Sequence, residues 1–281
     1  MENQIGSYDK LIHKHYKNEA EVHGLEPTST MLDKHIRESE TNAIIELVKL
    51  KIQQVSNDDK APIVIADIGC GNGHTLDVVS KMFPHVMFLG FDKTPEFLEL
   101  AEQRFIDRPN VFIQKGDIRE RGFTAPSSVD VIISQRVLIN ILDESDQKLA
   151  LDNIIRAMRN ISSDRCAGSG IFIESFKRPL EALNHARKQH DLEEIASQYH
   201  NLYLDENFFD IPSLQRLHFE QESLQENLFS THYFLGRVIY PLFRSDKSIS
   251  RNSDLVDFFR MAISRNVGDY SPLKIFCYDK I

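Results

Sequence analysis

The run Asp67-Ile68-Gly69-Cys70-Gly71-Asn72-Gly73 sets three glycines at alternate positions between a short β-rich stretch, 63–67, and apolar residues at helical spacing, Leu76, Val79 and Met82. Glycine tolerates positive φ and lets a ligand approach the backbone, so a turn of this kind at the carboxyl end of a strand can hold a small molecule. A dinucleotide loop would need G-x-G-x-x-G. Counted from Gly69 the last position is His74 and counted from Gly71 it is Leu76, so neither register fits. Two acids extend the pattern. Asp92 ends a second β-rich stretch, 86–91, twenty-three residues beyond Gly69, where a carboxylate suits hydrogen bonding to a ribose diol. Asp117, in Gly116-Asp117-Ile118, follows a third stretch, 111–114, where it could accept from an adenine amino group while Ile118 packs on the ring. Singly these are a tight turn and two solvated acids; the ligand reading rests on their agreement in order.

The elements that must carry these residues alternate strand and helix. Thr94 and Pro95 offer a capping residue and a first-turn proline for the helix after the second strand. A fourth strand is expected over 129–134, a helix over 145–159 with Leu151, Ile154, Ile155 and Met158 on one face, and a fifth strand over 170–175. Unbroken apolar strands interleaved with helices imply an α/β, doubly wound, mostly parallel sheet covered on both faces. Ahead of it, Leu32, Ile36, Ala43, Ile44, Leu47 and Val48 predict an amphipathic helix or helix pair within 28–51, followed by a polar linker over 53–60. Beyond the fifth strand, 177–211 turns polar, aromatic and His-rich, with one helix and a long loop expected; it reads as an inserted lid. A strand over 217–223, a helix over 233–243 whose stripe Phe234, Leu235, Val238, Ile239 and Leu242 packs on the sheet, and a last strand over 274–278 complete the pattern.

Composition narrows the function classes. A formal charge of −9 and the lack of a basic cluster exclude a nucleic-acid backbone as partner. Cys70, Cys166 and Cys277 are odd in number and far apart, which makes neither a disulfide framework nor a zinc site, and Asp205, Glu206 and Asp210 have no further ligand at a fixed spacing, so no metal is expected. Residues 1–10 lack a secretory start, and the apolar stretch 129–142 is broken by Gln135 and Arg136; a cytoplasmic protein with no membrane partner is the expectation.

With residues 67–73, Asp92 and 116–118 in this order and spacing, the chain resembles the class I S-adenosylmethionine-dependent methyltransferases, strongly over 63–175. The resemblance implies a seven-stranded Rossmann-like sheet over 61–281, an N-terminal helical cap over 1–60 and an acceptor lid over 177–211. It implies S-adenosyl-L-methionine as cofactor, with Asp67, Gly69, Cys70 and Gly71 at its methionine part, Asp92 and Lys93 at the ribose, and Asp117 and Ile118 at adenine. The segment after the fourth strand faces cofactor and acceptor in that family, which implicates Gln135 and Arg136 on the cofactor side and Asn140 on the acceptor side; a surface ion pair is the other reading of Arg136. Over its whole length, with Ser29-Thr30-Met31, Ile36-Arg37-Glu38 and 230–234, the chain resembles bacterial methyltransferases acting on small-molecule or sugar-linked, glycan-like acceptors.

Methyl transfer from a sulfonium is a direct displacement, so the protein chiefly aligns the two atoms and excludes water. The acceptor atom is expected to be oxygen or nitrogen, with oxygen preferred. For an alcohol, His200 is the first candidate base and Glu174 the second; a polar loop residue tying down backbone is the other reading of His200. Asn184, Arg187, Asn201 and Tyr203 are the expected acceptor-binding groups, and His232 is a further candidate base. Two rival functions are a regulatory or scaffold protein that binds the cofactor without chemistry, disfavoured by the many polar groups after the fifth strand, and an NAD-dependent oxidoreductase, disfavoured by the glycine spacing.

Overall fold

The computed structural model describes residues 8–55, 62–162 and 165–281. Seven strands form one sheet: β1 (Val64–Ile68), β2 (Met87–Asp92), β3 (Val111–Lys115), β4 (Val131–Gln135), β5 (Ser169–Ser175), β6 (Leu214–Arg216) and β7 (Leu273–Lys280). Their order is β3-β2-β1-β4-β5-β7-β6. The first five are parallel, and β7 runs antiparallel between β5 and β6. Strand order reverses between β1 and β4, so connections leave their carboxyl ends in opposite directions and open the crevice where such sheets bind ligands. The register sets Ile68 beside Phe91 and Ser134, which brings the glycine loop, Asp92 and Gln135 to one edge.

Both faces of the sheet are covered, which explains why its strands are apolar throughout. On one face Ile44, Leu47 and Val48 of α2 (Lys34–Val55) and Leu76 and Val79 of α3 (His74–Met82) pack with Ile65, Ile133 and Ile171. On the other, Leu151 and Ile154 of α5 (Glu144–Ala157) pack with Ile132, Phe172 and Phe209. Asp143 caps α5 by accepting from the backbone N–H of Ser145 and Asp146. Among the described residues no helix is long and apolar enough to cross a membrane.

Several expectations are corrected. The stretch 28–51 holds one helix beginning at Lys34, which runs on to Val55 into the expected linker; residues 56–60 of that linker lie outside the described residues. A helix that the apolar spacing does not delimit, α1 (Asp9–His23), precedes it and buries only Ile12 and Ala20. Thr94 makes no capping bond before α4 (Pro95–Arg104); its backbone N–H instead donates to Asp92 Oδ1 at 2.8 Å. No strand lies over 217–223: the strand here, β6, ends before it at Arg216, and 222–224 is a 3-10 turn. The helix sought over 233–243 starts earlier and is interrupted: α7 (Ser230–Phe234), a π-turn (Leu235–Ile239) and α8 (Tyr240–Leu242). Its contacts are with α6 (Lys177–Lys188) and α9 (Asp254–Ala262) rather than chiefly with the sheet. Gly236 permits this, because a Cβ there would stand 2.3 Å from the carbonyl oxygen of Ser250.

Candidate functional site

The glycine loop is left-handed at all three glycines, with φ of 67°, 55° and 76° at Gly69, Gly71 and Gly73. Their reasons differ. A Cβ on Gly69 would meet Val137 Cγ2 at 2.4 Å, whereas a Cβ on Gly71 would meet nothing within 4 Å, so Gly71 faces open space. Asp92, buried, holds the loop by accepting from Gly71 N (2.9 Å) while its other oxygen accepts from Thr94 N. A carboxylate has about four acceptor positions, so these two bonds leave capacity for further donors. Asn72, overlooked in the sequence, ties the loop to the segment after α1 through Gly24 O (2.9 Å), Glu26 O (3.0 Å) and Ser29 Oγ (3.1 Å).

The loop opens into a cavity that brings together Asp67, Gly69, Cys70, Gly71, Asp92, Lys93, Asp117, Ile118, Gln135, Arg136 and Asn140, every residue expected at the cofactor plus one expected at the acceptor. Its outer wall is Ile12 and Tyr16 of α1, with Phe97 of α4. Their i, i+4 spacing is the only sequence signal for this wall, and the polar residues around them obscure it. Asn140 Nδ2 donates to the Tyr16 hydroxyl at 2.6 Å, and Asp9 accepts from Lys93 (3.0 Å) and Arg119 (2.9 Å), which fastens α1 across the crevice.

Two of the acids carry partners that spacing cannot reveal. Asp117 receives Arg119 Nε on both oxygens, at 3.0 and 3.1 Å; burial pushes its carboxyl up, but the Arg119 bonds outweigh that and hold it below its ordinary value. Asp67 is pushed up to about 7 by burial and the charge of Asp92, against the pull of Arg37 and Arg136. Arg136 has a φ of 57°, is half-buried, and pairs with the fully buried Glu40, so it is not a surface ion pair. Gln135 Oε1 accepts from Thr75 Oγ1 at 2.6 Å.

Glu174 is corrected as a candidate base. It is fully buried and lines neither cavity; Oε1 accepts from Ser134 Oγ, Val137 N and Leu138 N at 2.9–3.2 Å, and Oε2 from Ile139 N at 3.3 Å. It positions the turn after β4. Burial pushes its carboxyl up to about 7 despite those donors.

A second cavity adjoins the first and shares Tyr16, Thr30 and Arg136 with it. His200, Asn201 and Tyr203 line it. The His200 ring stacks on His15 with centroids 3.8 Å apart, and burial with the like charge of His15 pushes it down to about 4. His200 is therefore neutral at pH 7 but a weak base, which corrects its ranking as first candidate. Asn184 and Arg187 lie outside both cavities: Asn184 clamps Ile195 through N–H (2.8 Å) and carbonyl (2.9 Å), and Arg187 donates to the carbonyls of Glu193 (2.6 Å) and Arg237. His232 does not line this cavity; its Nε2 lies 2.9 Å from Asp33. Asp33, Tyr233 and Arg237, which do line it, were missed because their roles depend on a helix break that periodicity hides.

Residues 65–160 match the family described as a methyltransferase domain. The malonyl-[acyl-carrier protein] O-methyltransferase of Paenibacillus sp. (strain JDR-2) is 34% identical over 92 residues, which are 32% of this chain and 33% of that protein, so the match spans about a third of the curated relative. Two solved structures share the fold over nearly the whole chain. One is a chain of the Haloferax volcanii complex between the Trm112 methyltransferase activator and a methyltransferase (13% identity, 95% of this chain and 96% of that one, TM-score 0.52). The other is Haemonchus contortus phosphoethanolamine N-methyltransferase 1 (16% identity, 98% and 49%, TM-score 0.51).

Proposed function

We propose that this chain, which carries a methyltransferase domain of the class I S-adenosylmethionine-dependent type, transfers a methyl group from S-adenosyl-L-methionine to an oxygen or nitrogen of a small-molecule or sugar-linked acceptor. The observation that carries this reading is the junction of two cavities at Tyr16, Thr30 and Arg136, one built around the glycine loop and the other around a polar, aromatic wall. The cofactor, when bound, supplies a methyl group on a positively charged sulfur. The residues present fit it: open space beside Gly71, acceptor capacity on Asp92, and the apolar Ile118 beside Asp117.

In this reading Gly71 lets the cofactor approach the loop backbone, Asp92 accepts from the ribose hydroxyls, and α1 covers the crevice and keeps water out. Tyr16 stands where donor and acceptor meet and is bonded to Asn140 on the cofactor side, whose Oδ1, buried with no partner among the described residues, can accept from an acceptor hydroxyl or amine. A displacement at carbon draws its rate chiefly from this alignment. Oxygen is the favoured atom, and the sequence relative is an O-methyltransferase.

Incubation with methyl-labelled S-adenosylmethionine and fractionated cell extract tests the proposal. S-adenosylhomocysteine should form only with an acceptor-containing fraction. Absence of turnover in every small-molecule and glycan fraction, with the folded protein binding NAD instead, contradicts it.

A further inference from the structure

We infer that the acceptor carries an oxyanion, a carboxylate or a phosphate, and that Arg237 binds its charge; this rests on the second cavity being the acceptor site. Arg237 lies on the wall of that cavity and is only 7% exposed. Among the described residues its guanidinium donates no hydrogen bond: Nη1 is buried without an acceptor, and Nη2 makes only a 3.9 Å ion pair with Asp33 Oδ2, too long for a hydrogen bond. Asp33 is committed elsewhere, accepting from Ile36 N at 3.2 Å and lying 2.9 and 3.0 Å from His232 Nε2.

A guanidinium has five N–H donors, and burying its charge without a hydrogen-bonded anion is costly. Stacking on the Tyr233 ring, 3.7 Å from its centroid, satisfies one face of Arg237 and leaves its in-plane edge for a ligand. The edge is the part that recognises carboxylate and phosphate. The other charges on the wall do not supply the missing partner. Arg136 is matched by Glu40, Glu19 pairs with His23 at 3.7 Å, and Arg251 is exposed. Burial pushes the Tyr233 hydroxyl up; Arg237 and Arg136 pull it down while Asp33 and Glu40 push it up, so the ring under Arg237 faces charges of both signs on this wall.

The backbone reinforces this placement. Arg237 sits inside the π-turn Leu235–Ile239, a form often found at functional sites, and its carbonyl is held by Arg187, which is itself anchored on Glu193. The segment is thus fixed while its guanidinium keeps hydrogen-bond donors unused.

The test uses the full chain loaded with S-adenosylhomocysteine, titrated with inorganic phosphate, succinate and succinamide and followed by calorimetry and by the arginine side-chain Nε–H signals. The wild type should bind phosphate or succinate and not the neutral succinamide, with one buried arginine signal shifting; which anion binds tells phosphate from carboxylate. R237Q should lose about tenfold or more in anion affinity with cofactor affinity unchanged, and R237K should recover part of it. If R237Q does not fold, the anion-over-amide preference and the weaker binding of R237K decide. No anion binding by the loaded wild type, or equal binding by the variants, overturns the inference. Failure of S-adenosylhomocysteine to bind at all would instead strike the proposed function.

Discussion

Glu174 lies in β5 and His200 in the loop segment well beyond it; burial acts on them in opposite directions because it disfavours whichever form is charged. The imidazole is pushed down to about 4 and the carboxyl up to about 7. An imidazole this weakly basic accepts little proton character from an alcohol at neutral pH, so His200→Ala should raise the KM for the acceptor several-fold and lower kcat by less than about tenfold, with an unaltered profile between pH 5 and 8. A kcat loss of about a hundredfold, with a rate that falls in the wild type as the pH drops through about 4, would return His200 to the role of base. Glu174 gives a different signature. Glu174→Ala leaves the backbone donors of Val137, Leu138 and Ile139 without their acceptor, and on the order of 3 kcal/mol of stability should be lost, read by urea unfolding. A change under about 0.5 kcal/mol would mean that this turn does not depend on the carboxylate.

At the scale of elements, α1 is the piece that closes the cofactor cavity, with Ile12 and Tyr16 on its wall and the Asp9–Arg119 and Tyr16–Asn140 contacts as fasteners. A ligand that buries itself beneath α1 must pass it, so the helix is expected to open and to be held shut once the cavity is filled. Amide exchange across residues 9–23 should therefore slow on addition of S-adenosylhomocysteine; exchange unchanged there but slowed at 69–73 would mean that α1 is a static wall. How much of this was legible varies with the physics of each element. The loop 67–73, the strands β1 to β5 and β7, and the acids at strand ends were readable, because glycine spacing and unbroken apolar runs report directly on tight turns and buried strands. α1 was not, since its sequence is polar apart from a few positions and its partners, Lys93, Arg119 and Asn140, lie far away in the chain. The break at Leu235–Ile239 was hidden as well: apolar residues continue through it at helical spacing while the backbone adds a wider turn around Gly236.

Across the whole molecule the buried acids tie the site to stability. Glu174 and Asp67, both pushed up to about 7, bind protons more tightly in the folded chain than in the unfolded one, where carboxyls titrate near 4. Their contribution is complete below about pH 4 and declines as the pH rises toward about 7. Half-buried histidines with lowered values, His74 and His200 among them, act in the opposite sense over an overlapping range, so the informative quantity is a difference. Glu174→Gln should gain on the wild type by on the order of 1–3 kcal/mol between pH 4.5 and 7.5, with the histidine contribution cancelling; a constant difference across that range would show that Glu174 titrates normally. The central claim is that the cavity around Gly71 and Asp92 is an S-adenosylmethionine site, and the most direct test is calorimetric titration of wild type and Asp92→Ala with S-adenosylhomocysteine and with NAD. The account predicts that the wild type binds S-adenosylhomocysteine and not NAD, and that folded Asp92→Ala binds it about ten- to a hundredfold more weakly; equal affinity in the two proteins, or preference for NAD, would contradict it.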